Sequence, residues 1–228
     1  MNEFCDQGIV LQTVPFRDHD VIASVFTAQH GLVKLFIRGN FKKSRQHHAL
    51  SPLVHGEFLF KQGRNELMSC QSTKITHSFL QLRNDWKTLQ AACRIIKSVE
   101  ESQLPGKPSH SLYQVLFYYL SHLHEAEDVH CLTSSFLLKL LKHEGVLHFP
   151  PLCSICEQHI TDAWIYEGMM YCREHAVFGS TSLSSQELEN AKRLSEERKF
   201  QNLLNYKIKE DFSKKIERIF TGFQHCQN

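Results

Sequence analysis

Val21-Ile22-Ala23-Ser24-Val25-Phe26-Thr27, then Gln29-His30-Gly31, then Leu32-Val33-Lys34-Leu35-Phe36-Ile37: the fold of the N-terminal third turns on this stretch. Both apolar runs are short and rich in β-branched and aromatic side chains, and the glycine-containing turn between them is the punctuation of paired strands. Upstream, Ile9, Leu11 and Thr13 alternate with Val10, Gln12 and Val14, a strand that Pro15 should end. Downstream, Arg38-Gly39-Asn40 closes the third strand and a fourth is expected over about Gly56 to Lys61. Gln62-Gly63-Arg64-Asn65 then reads as a hairpin turn into a fifth, from Glu66 to Ser72. Five short strands over residues 1–79 fit a small barrel, of which the OB-fold is the commonest with this strand count; the count alone does not separate it from an SH3-like barrel.

From residue 80 the period changes. Trp86, Leu89, Cys93, Ile96 and Val99 fall at helical spacing, and Pro105-Gly106-Lys107-Pro108 breaks the run. Leu112, Val115, Leu116, Tyr119, Leu120 and Leu123 form a second apolar stripe. Leu132, Phe136, Leu137, Leu140 and Leu141 form a third, with Lys139, Lys142 and His143 on another face and Gly145 as its C-cap. Helix resumes near Ser184 and Glu187, which have capping-box spacing, and a last helix spans roughly Glu210 to Phe223. The expectation is an α+β chain: an N-terminal OB-fold barrel over 1–79, then a helical domain over 80–228 with an inserted finger at 150–178.

Composition bounds the function classes. The 228 residues, 42% hydrophobic and 22% charged, are those of a globular protein. The densest apolar patch, Val115 to Leu120, is far shorter than a membrane span needs, and Glu3 and Asp6 occupy what would be the basic start of a signal peptide. The expected compartment is therefore the cytoplasm, with no membrane partner. Of the eight cysteines, Cys5, Cys70, Cys93 and Cys131 are scattered, as small buried side chains often are in a reducing compartment.

Three of the other four cysteines are organised. Cys153-Ser154-Ile155-Cys156 and Cys172-Arg173-Glu174-His175 are two knuckles separated by fifteen residues, a gap that suits a hairpin over Ala163–Met170 with Tyr166-Glu167-Gly168-Met169 at its tip. Three thiolates and one imidazole complete a closed, structural zinc shell. His159 is the alternative fourth ligand, and reduced cysteines packed in a core are the bland reading. Four protein ligands leave no open position for catalysis. The His55-Gly56-Glu57 triplet lies far upstream of the cysteines, against a zinc deaminase.

The second informative segment is Arg38-Gly39-Asn40-Phe41-Lys42-Lys43-Ser44-Arg45-Gln46-His47-His48. Residues 1–79 hold nine Lys/Arg against six Asp/Glu, whereas 80–150 hold seven of each and 151–228 hold ten against eleven. No acid occurs over the 36 residues 21–56, so the excess of +2 is concentrated there. Lys34, Arg38, Lys42, Lys43 and Arg45 can neutralise phosphates, and Phe41 is the better candidate for stacking a base. Phe36 reads as core because it lies between Leu35 and Ile37. The interleaved charges of residues 187–218 read as ion-paired helix surface.

No phosphate-binding glycine loop, nucleophile elbow or His-Glu-x-x-His occurs, so an enzyme is not expected. A zinc-containing adaptor whose barrel binds a peptide is the competing reading.

The ordered pieces resemble the RecO family of bacterial recombination mediators. The resemblance is carried by Gly8-Ile9-Val10-Leu11, Asp18-His19-Asp20-Val21-Ile22, Phe26-Thr27-Ala28-Gln29-His30-Gly31-Leu32, Arg38-Gly39-Asn40-Phe41-Lys42-Lys43, Leu50-Ser51-Pro52-Leu53 and the Cys153–His175 stretch. It departs from the family in having His175 where a fourth cysteine is usual and in lacking the glycine often found just after the second cysteine. The resemblance implies a protein that binds single- and double-stranded DNA and anneals complementary strands. It implies action with RecR to help RecA replace single-strand binding protein (SSB), recognition of the SSB C-terminal tail through the helical domain, and a nucleoid-associated location.

Overall fold

A computed structural model describes residues 3–17, 20–38, 50–62 and 67–224. The chain divides into two compact units, Met1–His124 and Glu125–Asn228. In the first, β1 (Glu3–Phe16), β2 (Asp20–Thr27), β3 (Gly31–Ile37), β4 (Val54–Lys61) and β5 (Leu67–His77) close into a barrel of order β1-β2-β3-β5-β4. The pairing supplies what strand count lacks. β1 serves two neighbours, β4 along Glu3–Val10 and β2 along Gly8–Phe16, with an irregularity between Val10 and Gln12. β3 and β5 close the far side in parallel, Lys34–Phe36 against Leu67–Ser69. This is the OB-fold expected from the sequence.

Two strand limits differ from expectation. β1 runs through Pro15 because, beyond Val10, it pairs with β2 alone, so a missing N–H on the free edge costs little. β5 continues to His77, paired with β4 from Ser69 onward. The barrel core comprises Val10, Ala23, Val25, Val33, Leu35, Ile37, Val54, Phe58, Phe60 and Cys70. The buried Asp6 carboxylate ties the β2–β3 turn to β1, its Oδ2 accepting from the Gln29 N–H at 2.9 Å and lying 2.8 Å from His30 Nδ1.

The first unit continues past the barrel through α1 (Trp86–Ser102) and α2 (His110–His122). The sequence boundary at 79/80 thus marks where strands give way to helices, and the compact unit extends further. α1 buries only part of the stripe expected of it: Ile96 and Val99 are buried with Thr88, Ala91, Ala92 and Ile95, and Leu89 is half-buried, while Trp86 and Cys93 face water. The helix turns its small side to the protein because alanines permit close approach, and this rotates the large N-terminal aromatic outward. α2 buries Leu112, Leu116, Tyr119 and Leu120 as expected, and Tyr113 joins them. The Tyr113 hydroxyl meets His55 Nε2 of β4 at 2.7 Å. Burial and the neighbouring His77 hold His55 below the ordinary histidine value, so it is neutral here.

In the second unit, α3 (Val129–His143) is buried on nearly every side from Cys131 to Leu138 and packs against α4 (Ser185–Glu196) and α6 (Glu210–Gln224). Gly145 takes the left-handed conformation (φ 74°) of a C-cap, and Ser184 with Glu187 forms the expected capping box. A short α5 (Phe200–Leu204) was not foreseen. The C-terminal charges are ion-paired as expected: Lys215 with Glu187, Lys214 with Glu210 and Lys207 with Glu127. Among the described residues no helix is long and apolar enough to cross a membrane.

Gly31 and Gly106 offer a matched test of this packing. Their φ angles are +68° and +69°, yet a Cβ on Gly31 would sit 2.1 Å from the Lys107 carbonyl oxygen whereas one on Gly106 meets nothing. Gly106→Ala should cost about 1–2 kcal/mol from backbone strain alone. Gly31→Ala should cost a further ~1–3 kcal/mol, because backbone must move. Equal urea midpoints for the two variants would contradict the close approach.

Candidate metal centre and barrel face

The finger is built on β6 (Ala163–Tyr166) and β7 (Met169–Tyr171), with β8 (Thr181–Leu183) added to the other edge of β6. Glu167 and Gly168 both have positive φ (49° and 80°), the requirement of a tight type I′ hairpin turn. The hairpin matches expectation. β8, only three residues long, carried no periodic signal.

The knuckles are held by backbone bonds. Glu157 N–H donates to the Cys153 carbonyl at 3.0 Å and His175 N–H to the Cys172 carbonyl at 3.2 Å. The first knuckle is fastened to β7 by Ser154, whose N–H and hydroxyl both donate to the Met170 carbonyl at 2.9 Å. Glu157 sits at φ 58°, the left-handed conformation that the missing glycine after the second cysteine would have relieved.

These turns bring Cys153, Cys156, Cys172 and His175 together, every ligand atom within 4.8 Å of the others. Cys156 Sγ lies 3.9 Å from Cys172 Sγ, and His175 Nδ1 lies 3.8 Å from Cys153 Sγ and 3.2 Å from Cys172 Sγ. Metal–ligand bonds of about 2.0–2.3 Å in a tetrahedron imply edges of roughly 3.3–3.8 Å, so the cluster fits such an ion. His159 is exposed, bridges Leu152 through the backbone, and stands outside the cluster.

The electrostatics suit a cation. Burial pushes the Cys153 thiol up, but N–H groups of Cys156, Cys172 and Ile155 outweigh it and bring the thiol down to about 6, so it is a thiolate at neutral pH. At Cys156 the Gln158 N–H favours the thiolate, yet burial and the Cys153 and Cys172 sulfurs raise it above the ordinary value. A bound cation reverses that crowding. Burial drives Cys70 to about 11 and Cys131 to about 12, the reverse of an activated nucleophile.

The candidate nucleic-acid residues divide. Phe41, Lys42, Lys43 and Arg45 lie outside the described residues. Lys34 and Arg38 are described, and both are exposed. Strand periodicity corrects the reading of Phe36. Val33, Leu35 and Ile37 point into the barrel, so Phe36 shares the outer face with Lys34 and Arg38. Register places Val14, Ile22 and Phe36 side by side across β1, β2 and β3. The Phe16 ring, 38% exposed, meets Phe36 edge-on at 5.8 Å, and the Arg17 guanidinium lies 5.3 Å above Phe16. Phe16 and Arg17 were missed because only register reveals them as neighbours of β3.

Lys139 and Lys142, set on another face of α3 from its apolar stripe, are both engaged. The Lys139 ammonium donates to the Ser195 and Glu197 carbonyls at the end of α4, and Lys142 pairs with Glu196 at 2.9 Å. Both cations fasten α3 to α4, so this face is not a ready acidic-peptide groove.

Comparison with known proteins agrees with this architecture. The family described as "Recombination protein O N terminal" matches residues 1–79, and "Recombination protein O C terminal" matches 83–227. The chain is 28% identical over 222 residues to the DNA repair protein RecO of Chlamydia trachomatis serovar L2, covering 95% of this chain and 90% of that one. It is 29% identical over 223 residues to the protein of the same name from Chlamydia muridarum, covering 95% and 94%. A Bacillus mycoides protein, also named DNA repair protein RecO, is 28% identical over 174 residues, 75% of this chain and 69% of its own.

Two outcomes test the metal centre. His175→Ala should abolish stoichiometric metal retention by elemental analysis while His159→Ala leaves it intact; the opposite pattern would refute the assignment. Glu157→Gly should stabilise the metal-loaded chain by roughly 0.5–1 kcal/mol in thermal melts, since glycine removes the left-handed strain.

Proposed function

The chain belongs to the recombination protein O family, and from that premise we propose a non-enzymatic DNA-binding and strand-annealing factor of DNA repair and recombination. The observation that carries this reading is the outer face of β3. Lys34 and Phe36 lie along it, Arg38 follows directly after the strand, and Phe16 and Arg17 stand alongside. No ion pair engages Lys34 or Arg38 among the described residues, so their charge is available to a polyanion. The β2–β3 face is the surface by which OB-folds take oligonucleotides.

Annealing is slowed by repulsion between two phosphate backbones. A cationic face that gathers both strands lowers that repulsion, and the sequence that follows β3 supplies three further cations, Lys42, Lys43 and Arg45. No bond is made or broken, so no catalytic residue is required. The ion of the Cys3His cluster is zinc; its closed shell holds the finger in shape and takes no part in strand exchange. In the cell this activity serves RecA loading on SSB-coated single strands together with RecR, with the SSB C-terminal tail as a further contact, in the nucleoid-associated cytoplasm.

Lys34→Gln with Arg38→Gln should lower the salt slope of single-strand binding by about 1.4, roughly 0.7 for each lost phosphate contact, and should slow annealing. Adding Lys42→Gln, Lys43→Gln and Arg45→Gln should lower it by about a further 2.1. An unchanged slope with unchanged annealing in the five-fold variant would sink the reading.

A further inference from the structure

Trp86 has no packing role to explain it. It opens α1 at 73% exposure, while the helix buries its small-residue side. A tryptophan held in water forfeits a large hydrophobic gain, so its exposure calls for a ligand. The surroundings say which kind. Lys87 follows it and is exposed, and Arg83 precedes it by three residues and is exposed as well. The intervening Asp85 is committed to the helix cap, where its Oδ2 accepts from Thr88 N–H at 2.8 Å and from the Thr88 hydroxyl at 2.9 Å.

Arg83 also links this corner to the basic segment. Its Nη2 donates to the Ser51 hydroxyl at 3.0 Å and to the Pro52 carbonyl at 3.2 Å. Ser51 and Pro52 lie at the returning end of the stretch that leaves β3 at Arg38 and holds Lys42, Lys43 and Arg45. The arginine therefore anchors that end at the start of α1, where Arg83, Trp86 and Lys87 are close neighbours in sequence and all exposed.

We propose that Trp86 is a base-stacking platform for an unpaired nucleic-acid strand, with Arg83 and Lys87 taking the flanking phosphates, so that the footprint of the strand extends beyond the barrel onto α1. This rests on the DNA-binding reading above and adds a contact that reading does not require. An aromatic face with neighbouring cations fits a single strand because every base has a π-face, whereas a duplex keeps its bases stacked internally.

The chain has two tryptophans, and the other, Trp164, lies in β6. Trp164→Phe in the full-length protein therefore leaves Trp86 as sole emitter. Titration with oligo(dT) should quench that emission saturably, whereas a blunt duplex of equal length and heparin, a polyanion without bases, should not. Trp86→Ala should weaken oligo(dT) binding about 5- to 150-fold with an unchanged salt slope, and Trp86→Phe should recover part of the loss. Quenching by heparin or duplex equal to that by oligo(dT), or quenching by an acidic apolar peptide alone, overturns the proposal. So does a Trp86→Ala variant that binds oligo(dT) as the parent does. If the parent itself binds no oligo(dT), the DNA-binding reading fails first.

Discussion

Closure of the barrel is the constraint on which the first unit depends. β1 pairs with β4 along its first half and β2 along its second, and the parallel meeting of β3 with β5 gives the two remaining edge strands a partner and closes the sheet. Once closed, each strand has one inward and one outward face, and a side chain cannot change face without a register slip. Val33, Leu35 and Ile37 fill the interior, so Lys34, Phe36 and Arg38 are held outside. The surface proposed to meet nucleic acid is thus a consequence of core packing.

The second unit uses a different device. Within residues 150–178 the buried apolar side chains are few: Cys153, Ile160, Ala163, Ile165 and Met170. Two backbone-bonded knuckles and one hairpin instead converge four ligand atoms on a point. The left-handed Glu157 shows that convergence is achieved against local preference, strain that a bound metal ion would offset. Lys139 shows a related economy of charge: burial lowers its affinity for a proton, yet its ammonium closes the end of α4.

What could be read from the residues followed from how local each signal was. The knuckle spacing, the Glu167-Gly168 turn, the Gly145 cap and the Ser184/Glu187 capping box are determined within a few residues, and each is where the sequence placed it. The β2 and β3 runs were likewise legible because β-branched residues and a glycine turn bounded them. The misreadings involve partners remote in sequence. Pro15 depends on which edge of β1 is free, and Trp86 on which side of α1 the alanines choose. Phe36 was assigned inward although the alternation that places it outside was already in the sequence; only the facing register of β1 and β2 showed which set of residues pointed in. Lys139 and Lys142 take partners at the end of α4, far away in sequence and not legible locally.

The central claim is that unpaired DNA lies along the outer face of β1 to β3. Photocrosslinking of a single strand containing 5-iodouracil, followed by peptide mass spectrometry, reports the contacting residues directly. The account predicts crosslinks at Phe16 and Phe36. Crosslinks confined to the finger or to helices α4 to α6, with none in residues 3–38, would contradict it.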